Sequence, residues 1–143
     1  MSAYILDASV AAKWFLPPGE ETFVEESLRL LEEYSRGAIR LTVPDLFWAE
    51  FGNILWKAAR LGRISVEAAE EALMTLTEQP FPTSPSLPHL DAAFAIGTRF
   101  QCTVYDSLYV ALAVSSGRPL ITADERLANS LAAHFPVRWL GSL

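Results

Sequence analysis

Residues 103–128 read TVYDSLYVALAVSSGRPLITADERLA, and the order of patterns in them decides the fold. From Val104 to Ser116 one charged side chain, Asp106, stands among tyrosine, leucine, valine and alanine. A stretch that apolar, closed by Gly117, reads as a helix inside a protein. Pro119 to Thr122 follows as a short β-rich strand, and Glu125 to Phe135 as a further helix. Strands alternating with helices imply a parallel sheet covered on both faces.

The same alternation extends back to the start of the chain. Tyr4 to Leu6 is a strand that meets Asp7, and Val10 to Leu16 is a helix ended by Pro17-Pro18-Gly19. Glu20 to Tyr34 has apolar Phe23, Val24, Leu28 and Leu31 at helical spacing and stops near Gly37. Ile39 to Val43 is the next strand. Asp45 to Leu61 is a long helix closed by Gly62, and Ser65 caps another that runs to Glu78, with Glu67 and Glu70 in its first turns. Four prolines between 80 and 88 permit at most an edge strand or a loop there. Leu90 to Phe100 is a helix and Val137 to Leu140 a last strand. With no repeat, linker or low-complexity segment, residues 1–143 are expected to form one α/β domain.

Composition narrows the function. The 143 residues are 51% hydrophobic and 20% charged, a globular balance. No apolar run is long enough to span a membrane. The opening MSAYILDASV lacks a basic n-region, so no secretory signal is expected. A single cysteine, Cys102, fits a reducing cytoplasm, and with His89 and His134 it is too little for a structural zinc site. The net charge of −6 argues against a protein that coats nucleic acid. It leaves room for an enzyme that grips nucleic acid through metal ions and local arginines. Serine-hydrolase, P-loop and dinucleotide signatures are absent.

Four acids stand out. In an open α/β sheet, ligands gather beyond the carboxyl ends of the strands. Asp7 and Asp124 each directly follow a strand and would share that edge, and Asp106 would reach it at the start of its buried helix. Glu50 lies inside PDLFWAEFGNILW, bordered on a helical wheel by Asn53 and Lys57. Asp7, Asp106 and Asp124 could each be simple helix caps, worth about 1 kcal/mol apiece. Capping accounts neither for a mid-helix glutamate nor for an acid as the one charge of an apolar helix. Carboxylates crowded at one edge raise each other's pKa, a conflict that a divalent cation removes. An oxygen-only donor set favours Mg²⁺ or Mn²⁺, and phosphodiester hydrolysis is the chemistry such a site supports.

LDASVAAKWFL, VPDLFWAEFGNIL, VYDSLYVALA and LITADERLA, in this order and spacing, resemble the four acidic motifs of PIN-domain nucleases, most of all toxin ribonucleases of the VapC type. The resemblance covers nearly the whole chain. It implies a PIN-like three-layer α/β/α fold around a parallel sheet of four or five strands. It also implies that Asp7, Glu50, Asp106 and Asp124 bind Mg²⁺ or Mn²⁺ and activate the water that cleaves RNA. Ser9 and Thr122 match the family's hydroxyl positions near the cluster, though both hydroxyls could instead cap backbone. Further implied are a cognate antitoxin whose basic or aromatic tail plugs the cleft, a homodimer, and no membrane. Lys13, Arg99, Arg118 and Arg126 lie near the motifs and are candidates to hold RNA. Lys13-Trp14-Phe15 could stack a base, but these aromatics, with Phe47, Trp48, Phe51, Trp56 and Trp139, read more readily as packing. A phosphoaspartyl hydrolase would need Asp-x-Asp where Ser9 stands, and a receiver domain would need a second acid beside Asp7. The remaining alternative is a catalytically degenerate PIN-like binding or scaffold module.

Overall fold

Five strands, β1 (Ser2–Leu6), β2 (Ile39–Pro44), β3 (Thr83–Ser84), β4 (Leu120–Thr122) and β5 (Val137–Trp139), form one parallel sheet in a computed structural model that describes residues 2–143. The strand order is β3-β2-β1-β4-β5. Seven α-helices connect them: α1 (Ala8–Ala12), α2 (Val24–Ser35), α3 (Leu46–Arg60), α4 (Val66–Thr77), α5 (Leu90–Phe100), α6 (Val104–Ser116) and α7 (Glu125–Leu131). Parallel crossovers are right-handed, so α1–α4, which serve the β1–β2–β3 side, cover one face. The connections through β4 to β5 place α5–α7 on the other. The expected three-layer α/β/α architecture with a parallel sheet is present.

Helix α6 explains its own sequence. Residues Ser107 to Ala113 are all buried, because the helix lies against β1, β2 and β4 while α5 covers its outer side. A helix with protein on both sides has no solvent face on which to put charge. Thr103 caps it by accepting the Asp106 N–H at 3.1 Å, and Gly117 ends it at φ 66. Gly97 lets α5 come close: a Cβ there would lie 2.8 Å from the Cys102 carbonyl oxygen.

Four expectations shift. Helix α1 spans Ala8–Ala12 rather than Val10–Leu16, because the N–H groups of Lys13, Trp14 and Phe15 bond three residues back and continue it only as turns. Helix α2 starts at Val24 rather than Glu20, because Pro18–Glu20 form a 3-10 turn and Phe23 takes a left-handed conformation (φ 56) that breaks the run. The freed acids Glu20 and Glu21 pair with Arg63 at 3.4 and 2.8 Å. Helix α7 stops at Leu131, short of Phe135, since Pro136 disfavours helical backbone before it. Trp56 is 58% exposed, with Arg60 over its ring, and does not pack in the core. The proline-rich segment does yield an edge strand, two residues long, paired with Val43 and Pro44.

Candidate active site

The strand order reverses between β1 and β4, and the crevice outside their carboxyl ends is where such sheets bind ligands. Leu6 pairs with Ile121, so the first residue beyond β1, Asp7, comes level with Thr122. The Asp7 N–H donates to the Ile121 carbonyl at 3.1 Å. The Thr122 hydroxyl donates to Asp7 Oδ2 at 2.7 Å and accepts the Asp124 N–H at 3.1 Å. Ser9 Oγ accepts the Ala123 N–H at 3.2 Å. Both hydroxyls therefore bind the loop after β4 to the loop after β1, the bonding of backbone weighed for them above.

Asp7 and Asp124 are helix caps, as their positions allowed. Asp7 Oδ1 accepts the Ser9 N–H at 3.2 Å, and Asp124 Oδ1 accepts the Leu127 N–H at 3.1 Å. Asp106 is not a cap, because Thr103 holds that role. Its carboxylate is favoured in the ionised form by the Thr103 side chain, an effect smaller than those of burial and Asp124. Glu50 reaches over from α3, where its Oε1 accepts the Tyr109 hydroxyl at 2.7 Å.

All four acids line one cleft of about 390 Å³, together with Ala8, Ser9, Ala49, Asn53 and Ile54. Among the described residues, no lysine or arginine lines it. Glu50 is pushed up to about 7 by burial, against the lowering effect of the Tyr109 hydrogen bond, with Asp7 and Asp106 adding repulsion. Burial also raises Asp7, against the lowering effect of its hydrogen bonds with Thr122 and Ser9, with Asp106 adding repulsion. Asp106 is raised first by burial and next by the nearby Asp124. Asp7, Glu50 and Asp106 thus resist ionising, first through burial and then through neighbouring carboxylates, as expected of an anion cluster lacking its cation.

The donors are all oxygen, which suits a hard divalent ion. Among the described residues, no three His, Cys, Asp or Glu side chains are already drawn to one ion's ligand spacing. Ligation would need the carboxylates to draw closer around the ion.

A family model described as the PIN domain matches residues 4–130. The chain belongs to the PIN-domain family. Ribonuclease VapC3 of Pyrobaculum aerophilum is 32% identical over 131 residues, covering 90% of this chain and 95% of that protein. A crystal structure of another protein from Pyrobaculum aerophilum superposes with a TM-score of 0.73 at 26% identity, over 99% of this chain and 91% of that one. A chain of a toxin–antitoxin complex from Klebsiella pneumoniae shares the fold, with a TM-score of 0.63 at 15% identity over 94% and 95% of the two chains.

Two features of this PIN domain were not legible in advance. Tyr109 is 1% exposed and bridges the cleft: besides its bond to Glu50 it accepts the Ala8 N–H at 3.4 Å. Its spacing of three from Asp106, on the same helical face, is the signal that could have found it. The basic candidates also separate. Lys13 is buried and paired with Glu21 at 3.2 Å. Trp14 donates to the Ser27 carbonyl and Phe15 packs edge-on against Phe51, so neither is free to stack a base. Arg118 donates to Thr42 Oγ1 at 2.7 Å, in a groove that contains none of the four acids. Arg99 lies over the Phe100 ring. Arg126 alone of the four lines a cavity with site acids, Asp106 and Asp124. Among the described residues, no helix is long and apolar enough to cross a membrane.

Proposed function

We propose that this PIN domain is a divalent-metal-dependent endoribonuclease and the toxin of a toxin–antitoxin pair. One observation carries the reading. Four carboxylates from four separate stretches of chain line one cleft at the strand-order reversal, with no lysine or arginine among the described residues that line it. A structural role would leave such repulsion uncompensated, whereas a divalent cation offsets it and at the same time attracts the anionic phosphodiester. The curated relative named a ribonuclease, matched over 95% of its length, supports RNA as the substrate.

Asp7, Asp106, Asp124 and Glu50 would hold Mg²⁺ or Mn²⁺. Such an ion supplies polarisation of the phosphodiester, a more acidic water, and charge stabilisation of the leaving oxygen. Thr122 and Ser9 orient Asp7 and the loop that carries Asp124, and direct contact with metal or phosphate is a further role open to them. Glu50 would bring to this set a partly buried carboxylate that releases its proton readily only once a cation is near. Tyr109 fixes the direction of that carboxylate.

The antitoxin would present a basic or aromatic segment to the acidic cleft. A homodimer is supported by Leu87, Leu90 and Phe94, apolar side chains about one helical turn apart that lie 79%, 43% and 62% exposed. Cytoplasmic residence accords with the lone cysteine.

The test is cleavage of a circular single-stranded RNA in Mg²⁺, in Mn²⁺ and in EDTA. Linearisation that needs the metal and disappears in Asp7→Asn is expected, since a circle can be opened only internally. A protein that binds RNA but never cuts it, with or without metal, would instead fit the degenerate binding module.

A further inference from the structure

The acid cleft does not end at Asp106 and Asp124. Those two residues form a shared wall with a second cavity of about 300 Å³, lined further by Phe100, Gln101, Cys102, Thr103, Arg126, Leu127 and Ser130. It differs in chemistry from the acid cleft. Arg126 supplies a guanidinium with no carboxylate within ion-pair distance among the described residues. Gln101 adds an exposed side-chain amide, and Phe100 and Leu127 form an apolar wall. The Thr103 and Ser130 hydroxyls are already engaged, with the Asp106 N–H and the Arg126 carbonyl. Arg126 and Gln101 are the cavity's two nitrogen-bearing side chains, and neither has a side-chain hydrogen-bond partner among the described residues.

The position of Gln101 is also costly. It ends α5 at φ 62, a left-handed conformation that glycine adopts freely and that disfavours other residues by about 1 kcal/mol. A glutamine kept there presents its amide beside the arginine.

We propose that this second cavity is the subsite for the nucleotide next to the scissile phosphodiester of a single-stranded RNA. Arg126 binds its phosphate and Gln101 hydrogen-bonds its base edge. A cation, an amide and an apolar wall in one groove is the combination by which single strands are held and read. This inference rests on the nuclease reading and assigns part of that enzyme's substrate selection to these two residues.

The experiment combines steady-state cleavage of a defined single-stranded RNA in Mn²⁺ with sequencing of the cut ends, and adds an amide chemical-shift titration with a short RNA. Arg126→Ala should raise KM about tenfold, with the loss falling mainly on KM, and should reduce the salt dependence of binding by about one ion. Arg126→Lys should recover part of that loss. Gln101→Gly should keep or raise Tm yet flatten the base preference at one position flanking the cut. Cleavage with KM and base preference unchanged in both variants overturns the subsite while leaving the nuclease intact. RNA binding that shifts the Gln101 and Arg126 amides without any cleavage overturns the nuclease, and with it the assignment of this cavity to a position flanking a cut. Absence of both binding and cleavage overturns the two together.

Discussion

Thr122 Oγ1 donates to Asp7 Oδ2 at 2.7 Å, across 115 positions of sequence, and the same oxygen receives the Asp124 N–H at 3.1 Å. One hydroxyl thereby sets the spacing between the acids that follow β1 and β4. Replacing it with the isosteric Thr122→Val removes both bonds without a large cavity. A stability loss of about 1–2 kcal/mol is expected, with Mn²⁺ affinity lower by about tenfold or more, the usual effect of losing a group that orients a ligand. Urea unfolding and isothermal titration read the two effects, and an unchanged Mn²⁺ affinity would remove Thr122 from the site.

Glu50 links the cleft to pH. Its carboxyl is pushed up to about 7 from an ordinary 4.5, so between those values the folded chain holds a proton that the unfolded chain has released. Stability from this group is full below 4.5 and falls as pH climbs through 7. In EDTA, wild type should lose about 3–5 °C of Tm relative to Glu50→Gln between about pH 5 and pH 8. Parallel Tm curves for the two proteins would contradict the assignment.

Tyr109 works on the same group from the other side. Its hydrogen bond favours the ionised Glu50, so Tyr109→Phe should raise the Glu50 pKa further and move the pH midpoint of Mn²⁺ binding upward. The Ala8 N–H loses its acceptor as well, which costs about 1 kcal/mol. Titration calorimetry at several pH values tests the shift, and a downward shift counts against it.

Asp106 is not the cap of α6, and an amide retains an oxygen acceptor for the Thr103 side chain, so Asp106→Asn removes repulsion at little cost in bonding. Metal-free Tm should stay level or rise. RNA cleavage should drop by at least about a hundredfold, and the Tm gain on adding Mn²⁺ should vanish. A large fall in Tm in EDTA would instead identify a structural role for this carboxylate.

Gly97 governs how closely α5 approaches the turn that launches Asp106. A methyl group there meets the Cys102 carbonyl oxygen at 2.8 Å and Ser107 Oγ at 3.3 Å. Gly97→Ala should destabilise by about 1–3 kcal/mol through overpacking, partly offset by the better helix propensity of alanine. It should also weaken Mn²⁺ binding, because the displaced turn carries Asp106. Full Mn²⁺ affinity in a destabilised variant would confine the effect to packing.

Much of this molecule could be read along the chain, because the signals involved are local. The apolar run 104–116 announced a helix covered on both sides, and Pro119–Thr122 followed by Asp124 announced a strand ending at a ligand edge. Proline spacing limited β3 to an edge. Four acids in order could be nominated, since each stood where local structure made it either a cap or an anomaly. Where several outcomes were locally compatible, the reading drifted. Glu20 and Glu21 suit a first helical turn as well as they suit Arg63 and Lys13. Trp56 at helical spacing suits a core as well as a surface.

Convergence was a different matter, because it depends on strand order and register rather than on any residue's neighbours. Asp7 meets Thr122 only because β1 lies beside β4, and Glu50 meets Tyr109 only because α3 and α6 approach the same crevice from opposite faces of the sheet. Folding likewise sorted four basic candidates into a buried ion pair, a bond to β2, a surface stack and one arginine beside the acids. Such partnerships span dozens of residues and arise from packing. Periodicity and capping act within a few positions and carry no record of them.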